Sequence, residues 1–336
     1  MPIAHPLSVR RRPSRGVHGT SAFVSPASRY HPAPMSPAPA SAEEIRDVNT
    51  RYHDGAASDY DAKWGIDFGE IGRTQVLGKL RKALGGELHS FRRSLELGAG
   101  TGYFSLNLLQ AGVITEATCT DISPGMVDAL QSNATTLGLD VDARVADAEA
   151  LPFEDASFDL VLGHAVLHHL PDLDQAWREI HRVLAPGGVA IFAGEPSHYG
   201  DRIANVPKRA AARVAPAWRA LMRARPAAVG NLDGGAENHQ LESMVDVHAF
   251  TPDQLSDGPR AAGFADVRVR GEELLANWFG WANRALEATA DPETVPWAWK
   301  LYAFRGYVGL QHVDRVLLEK RLPPAVFYNL MVTAAK

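Results

Sequence analysis

Three glycines within five positions, Gly98, Gly100 and Gly102, separate an apolar run ending at Leu97 from an amphipathic stretch beginning at Tyr103. A strand entering such a turn and a helix leaving it bring backbone N–H groups close to a ligand, and a Cβ there would take the ligand's space. The dinucleotide fingerprint G-x-G-x-x-G would place its third glycine at 103, where this chain has Tyr103. Glu96, two positions before the first glycine, is a poor neighbour for a pyrophosphate and a good one for a cationic ligand. Asp121 follows roughly 20 residues after the glycines, at the end of the next apolar run, where an acidic side chain can accept both hydroxyls of a ribose. It can equally cap the helix that opens at Ser123-Pro124, and the two roles are compatible. Two more polar clusters follow later apolar runs: Ala146-Asp147-Ala148-Glu149-Ala150-Leu151-Pro152-Phe153, and Gly163-His164 through His168-His169.

These residues need a scaffold, and the hydrophobic pattern supplies one. Apolar runs at 94–97, 117–121, 141–145, 158–163 and 189–193 read as strands, and amphipathic stretches at 103–111, 124–137 and 173–184 read as helices between most of them. Strand–helix alternation implies right-handed crossovers and an α/β fold with a parallel sheet. Ser41 followed by Glu44 is a capping-box pattern that opens a helix. Gly187-Gly188 reads as the turn after the helix that ends near Leu184. Beyond Pro196 the alternation lapses for about 70 residues. Thr251-Pro252 then caps another helix, with strands following at 266–269 and 326–333.

The ordered segments E-x-G-x-G-x-G (96–102), D-x-S-x-x-M (121–126), D-A-E-x-L-P-F (147–153) with F-D-x-V (158–161), L-H-H-L (167–170) and R-V-L-x-P-G-G (182–188) resemble class I S-adenosylmethionine-dependent methyltransferases of the Methyltransferase-11 group. That group is similar to the ubiquinone- and menaquinone-biosynthesis-type and small-molecule methyltransferases. The resemblance implies a Rossmann-like, seven-stranded, mostly parallel sheet with helices on both faces, plus helical lid insertions, and S-adenosyl-L-methionine as cofactor. It implies that Glu96, Gly98, Ala99, Gly100 and Gly102 form the cofactor turn and that Asp121 takes the ribose. Ile122 and Met126 would border the adenine, Asp147 would accept from its amino group, and the Ala148 N–H would donate to a ring nitrogen. Gly163 or His164 would face the methionine part. The resemblance covers about 47–196 and the last two strands. The expected organisation is a disordered extension over 1–40 and a methyltransferase domain over 41–336. Within the domain, 41–90 would be a helical lid and 91–196 the cofactor-binding core, and the helical insertions 197–250 and 272–324 would form the substrate side.

Methyl transfer from a sulfonium leaves a neutral thioether, so alignment and exclusion of water matter more than acid catalysis. A base is needed only for a hydroxyl or carbon acceptor. His164 and His239 are the candidate catalytic residues, with Glu195 and His198 also near strand ends. No metal is expected: adjacent His168 and His169 point apart on a helix, and Cys119 is the single cysteine. Trp278, Phe279, Trp281, Trp297, Trp299, Tyr302, Phe304 and Tyr307 concentrate aromatics that suit either an apolar acceptor pocket or a helical core. Tyr52, His53, Tyr60 and Trp64 mark the leading helix. The basic stretch 208–225 suits a solvated lid helix or a membrane surface.

Charge narrows the partners. The chain carries a net charge of −5, yet residues 1–40 hold five arginines and no Asp, Glu or Lys; subtracting them leaves −10 on the remainder. An acidic body argues against nucleic acid, and no apolar run approaches the roughly 18–20 residues of a membrane helix. The expected acceptor is a small hydrophobic metabolite of quinone-like, lipid or polyketide type, methylated on oxygen or carbon, in the cytoplasm; the lone cysteine fits a reducing compartment. The alternatives are an RNA or protein methyltransferase, or a non-catalytic cofactor-binding module.

Overall fold

Residues on successive strands alternate between two apolar sets, and a sheet buried on both faces follows from that pattern. In a computed structural model, which describes residues 41–57, 60–61, 65–227 and 247–336, β1 (Phe91–Leu97), β2 (Ile114–Asp121), β3 (Asp142–Val145), β4 (Phe158–His164), β5 (Leu184–Pro196), β6 (Asp266–Glu272) and β7 (Asn329–Ala335) form one sheet. Its order is β3-β2-β1-β4-β5-β7-β6, parallel except for β7, which runs antiparallel to both neighbours. The expected extension 1–40 and His239 lie outside the described residues.

One face of the sheet buries Val161, Ala190 and Phe192 with Trp177, Ile180 and Val183 of α5 (Leu173–Val183) and Leu255 of α7 (Pro252–Ala261). The other face buries Leu160, Leu162, Ile191 and Met331. Onto it pack Val76 and Leu80 of α2 (Glu70–Ala83), Leu108 of α3 (Tyr103–Gln110) and Leu130 of α4 (Pro124–Leu137). Each of the parallel strands β1, β2 and β4 therefore ends near the first turn of a helix or loop whose entry is chemically specified. Ser123 caps α4 by accepting from the Met126 N–H, with Pro124 in the first turn and Gly138 in the left-handed conformation at the end. Asp172 caps α5 and Thr251 closes a capping box on α7 with Gln254.

One stretch differs from the sequence expectation. The Gly187-Gly188 turn lies inside β5: Leu184 pairs with Phe158 and Val189 with Leu160, so the extra residues bulge out between those pairs. Within the span expected as a helical insertion, 197–250, the structure places α6 (His198–Met222), a 25-residue helix capped by Ser197 that runs through Pro207 and Pro216. Each proline removes a backbone donor and breaks the pattern by which a helix is read, while the packed face persists. Ala211, Ala215 and Trp218 of α6 join Leu286 of α8 (Leu275–Glu287) and Trp299 of α9 (Trp297–Val313) in a small core of their own. Of the 41–90 segment, α1 (Ala42–Ala56) lies along the end of the sheet, whereas α2 belongs to the sheet's own packing.

Candidate cofactor-binding site

The C-terminal ends of β1, β2, β3 and β4 open onto a shared cleft, to which each contributes lining residues. Seven of the twelve residues expected to bind the cofactor line it: Gly98, Gly100, Asp121, Ile122, Asp147, Ala148 and His164. They come from four separate stretches of sequence, joined by the parallel register that places Leu97 beside Thr120 and beside Gly163.

The three glycines divide their work. All have positive φ, at 58°, 53° and 92° for Gly98, Gly100 and Gly102. A Cβ on Gly98 would stand 2.5 Å from Val166, and one on Gly102 would stand 2.9 Å from Leu106, so these two are set by packing. A Cβ on Gly100 would project into the cleft, its nearest neighbour the Tyr60 ring at 3.8 Å. Gly100 is thus the position where a side chain would take a ligand's space.

Asp121 turns inward at the end of β2. Its Oδ2 accepts from the Gly100 N–H at 2.9 Å and its Oδ1 from the Ser123 N–H at 2.9 Å, so the carboxylate ties the glycine turn to the start of α4. Burial raises its pKa above the usual carboxylate value, against the opposing pull of His53 and the backbone N–H groups of Ser123, Gly100 and Ile122. Tyr60, beside it, has its hydroxyl pushed up to about 12 by burial and by the charges of Asp121 and Asp61. Asp147 accepts from the Glu149 N–H at 2.9 Å and pairs with Arg46 Nε at 2.8 Å. Arg46 also holds Glu149, whose Oε1 accepts from the Asp172 N–H at 2.7 Å.

His164 ends β4 with its ring stacked on Phe104, the centroids 5.0 Å apart. Burial, helped by the charge of Lys79, lowers its pKa to about 4, so the imidazole is neutral at pH 7. Gly194 lies flat against this ring: a Cβ there would be 2.7 Å from Nε2.

The other expected residues sit elsewhere. Glu96 lies under the turn, fully enclosed, its carboxylate accepting from the Ser105 N–H at 2.9 Å. Met126 is in the buried core, Ala99 and Gly102 shape the turn, and Gly163 packs against Val166 and Phe192. Glu195 accepts from the N–H groups of Val166, Leu167 and His168 and holds His168 Nδ1 at 2.8 Å; it anchors the loop after β4. His198 stacks edge-on to Tyr199 at the start of α6 and lies outside the cleft lining. The aromatic cluster also lies outside it: Trp299 packs with Trp218, and Trp281 sits between Lys208 and Tyr328. Sequence reasoning missed Arg46, Asn49 and His169, which wall the cleft. Arg46 and Asn49 sit on a helix without a motif, and nothing local signals a partner about a hundred residues away.

The donor set suits an adenosyl ligand bearing a cation. Carboxylates face both the glycine turn and the far end of the cleft, and the cation Arg46 is already committed to Asp147 and Glu149. A pyrophosphate at the turn would meet Asp121, an unfavourable pairing at that distance. Among the described residues, no group of three or more His, Cys, Asp or Glu is placed to hold a metal ion.

Comparison with known proteins agrees with this geometry. Residues 95–192 match the family described as a methyltransferase domain, Methyltransferase-11. A malonyl-[acyl-carrier protein] O-methyltransferase of Geobacter sulfurreducens is 31% identical over 230 residues, 68% of this chain and 73% of the relative. A demethylmenaquinone methyltransferase of Deinococcus radiodurans is 32% identical over 177 residues, 52% of this chain and 69% of the relative. In fold the chain resembles a phosphoethanolamine N-methyltransferase from Haemonchus contortus, solved with phosphomonomethylethanolamine and S-adenosylhomocysteine; the TM-score is 0.54 at 20% identity, over 87% of this chain and 59% of that one. With a relative 31% identical over most of both chains, the family match and this strand order around a glycine turn and two acidic residues lead to one conclusion: the chain belongs to the S-adenosylmethionine-dependent methyltransferases.

Proposed function

We propose that the chain transfers the methyl group of S-adenosylmethionine to an oxygen or carbon of a small, largely apolar metabolite, of quinone-like, lipid or polyketide type. The observation that carries this reading is the cleft wall built by the segment after β4, where Ala165, Val166, Leu170 and Pro171 are apolar and His164 and His169 are the polar members. When bound, the cofactor supplies an electrophilic methyl on a sulfonium whose departure leaves a neutral thioether. The chain's residues do the rest. Asp121 accepts from the ribose hydroxyls, Asp147 accepts from the adenine amino group, and Gly100 leaves room for both. His164 is the imidazole nearest the end of β4 in this wall; burial disfavours its protonated form, so it can accept a proton only from an acceptor that is itself acidic. The acceptors in the relatives' names, malonyl-[acyl-carrier protein] in one and demethylmenaquinone in the other, support an acyl or quinone-type acceptor.

Incubation with methyl-labelled cofactor and an extract of small metabolites tests this. Label should enter the organic-extractable fraction. Label confined to RNA or protein would refute the small-molecule reading while leaving the cofactor assignment standing.

A further inference from the structure

Tyr60 and Asp61 follow α1 in the chain and lie against the glycine turn. Asp61 is fastened at three points. Its Oδ1 accepts from the Thr101 hydroxyl at 2.6 Å, its Oδ2 from the Asn133 side-chain amide of α4 at 3.2 Å, and its backbone carbonyl from the Ile66 N–H at 2.9 Å. Thr101 is buried between Gly100 and Gly102, and its own carbonyl accepts from the same Asn133 amide at 3.1 Å. The Asp61 carboxylate is therefore bound into the turn itself. The adjacent side chain, Tyr60, lines the cleft, and its ring edge lies 3.8 Å from the position a Cβ on Gly100 would take. The Tyr60 hydroxyl, pushed up to about 12 by burial and by Asp121 and Asp61, keeps its proton, so the group is a neutral phenol with an intact aromatic face.

The strand order β3-β2-β1-β4 sets Asp147, Asp121, the glycine turn and His164 along the cleft in that sequence. With adenine at Asp147 and ribose at Asp121, the cofactor's sulfur, one methylene from the ribose ring, falls at the end of β1, between Gly100 and the Tyr60 ring. Arg46 is the one Lys or Arg among the described residues that line the cleft, and it is committed to Asp147 and Glu149 at the adenine end. The β1 end thus offers a cation an aromatic ring beside a carboxylate, with no lysine or arginine to oppose it. We propose that Tyr60 reads the charge on the cofactor's sulfur, its ring partnering the sulfonium, and that Asp61 is the positioning residue that holds this ring over the turn. The inference rests on the cofactor orientation given under the proposed function. Its consequence is discrimination between donor and product: once the methyl group has left, the sulfur is a neutral thioether and the ring no longer attracts it.

Calorimetric titration of the full chain with two probes, S-adenosylmethionine and S-adenosylhomocysteine, tests the proposal. The readout is the ratio of the two affinities, which a residue that only fills space does not move. Tyr60→Leu keeps an apolar side chain and removes the ring; it should lower the preference for S-adenosylmethionine about fivefold, the scale of a partly desolvated cation–π contact. Tyr60→Phe keeps the ring face and should hold the ratio within about twofold of wild type. Asp61→Ala should lower the ratio with Tyr60 still present, and adding Asp61→Ala to Tyr60→Leu should lower it no further, because the two act as one unit. Retained binding of S-adenosylhomocysteine by each variant shows that its site is still assembled. Equal losses for both probes in Tyr60→Leu, or no loss for either, overturn the proposal and leave the cofactor orientation standing. An unchanged ratio in Asp61→Ala overturns the part given to Asp61. Wild-type protein that binds neither probe refutes the orientation and the proposal together.

Discussion

Glu96 is 2% exposed, accepts from the Ser105 N–H and has no ion pair among the described residues. Burial raises its pKa from 4.5 to about 7, so the folded protein retains a proton that the unfolded chain has released. The stability this group contributes is present below about pH 4.5 and is lost as pH rises through about 7. A shift of that size corresponds to at most about 3 kcal/mol. His164 acts in the opposite sense: its depressed pKa removes stability as pH falls from 6.5 towards about 4. Comparison with Glu96→Gln isolates the first effect. Denaturant unfolding of the wild type relative to this variant should show a falling stability difference between about pH 5 and about pH 8. Parallel profiles would show that Glu96 is ionised throughout. In the cleft itself, Asp121→Ala should weaken cofactor binding by about 1–3 kcal/mol, the cost of leaving hydrogen-bonding groups unpaired. Asp147→Ala should cost less, because that side chain reaches only the adenine edge. Calorimetric titration of folded variants ranks the two, and a larger loss at Asp147 would reverse the assigned roles.

At the scale of elements, what could be read from sequence was what repeats locally. The apolar alternation of β4 and β5 announces strands buried on both faces, and Ser123-Pro124 opens α4 at the position observed. α6 was expected only as a helical insertion without bounds, because Pro207 and Pro216 interrupt a face whose burial is tertiary. The bulge in β5 was read as a plain turn because pairing register is set by the neighbouring strand, β4. The contribution of α1 was out of reach altogether: Arg46 meets Glu149 across 103 positions. This helix is held at the cleft by Arg46 to Asp147 and Glu149, by Asn49 to the His169 carbonyl, and by Asp54 to Ser123 and Gly125. Arg46→Ala should therefore loosen α1 by about 1 kcal/mol, the scale of a partly exposed ion pair. Hydrogen exchange should rise across Ala42–Ala56 and stay unchanged in β1 and β4. Uniform protection in the variant would mean that the pair does not hold the helix.

Across the whole molecule, the sheet is closed at its late edge by a buried group of charges. Lys79 and Lys82 of α2 reach Glu272 at the end of β6, with Lys79 also 3.4 Å from Glu273 and Lys82 2.8 Å from Glu319. The two lysines hold Glu272 down to about 2, despite its burial. Tyr307 of α9 donates to Glu273 at 2.6 Å, so the same group links the α9 layer to the cofactor core. Lys79→Met should lower unfolding free energy by about 3 kcal/mol, because it leaves buried carboxylates uncompensated. A loss near zero in denaturant unfolding would place that charge group in solvent.

The central claim is that the turn at Gly98–Gly102, Asp121 and Asp147 enclose S-adenosylmethionine. Calorimetric titration of S-adenosylhomocysteine into the wild type and into Gly100→Val, each shown folded by its melting curve, tests it most directly. The wild type should bind S-adenosylhomocysteine and leave NAD unbound, and the variant, with a side chain projecting into the cleft beside Tyr60, should bind neither. Equal affinity of a folded Gly100→Val protein for S-adenosylhomocysteine would contradict the account.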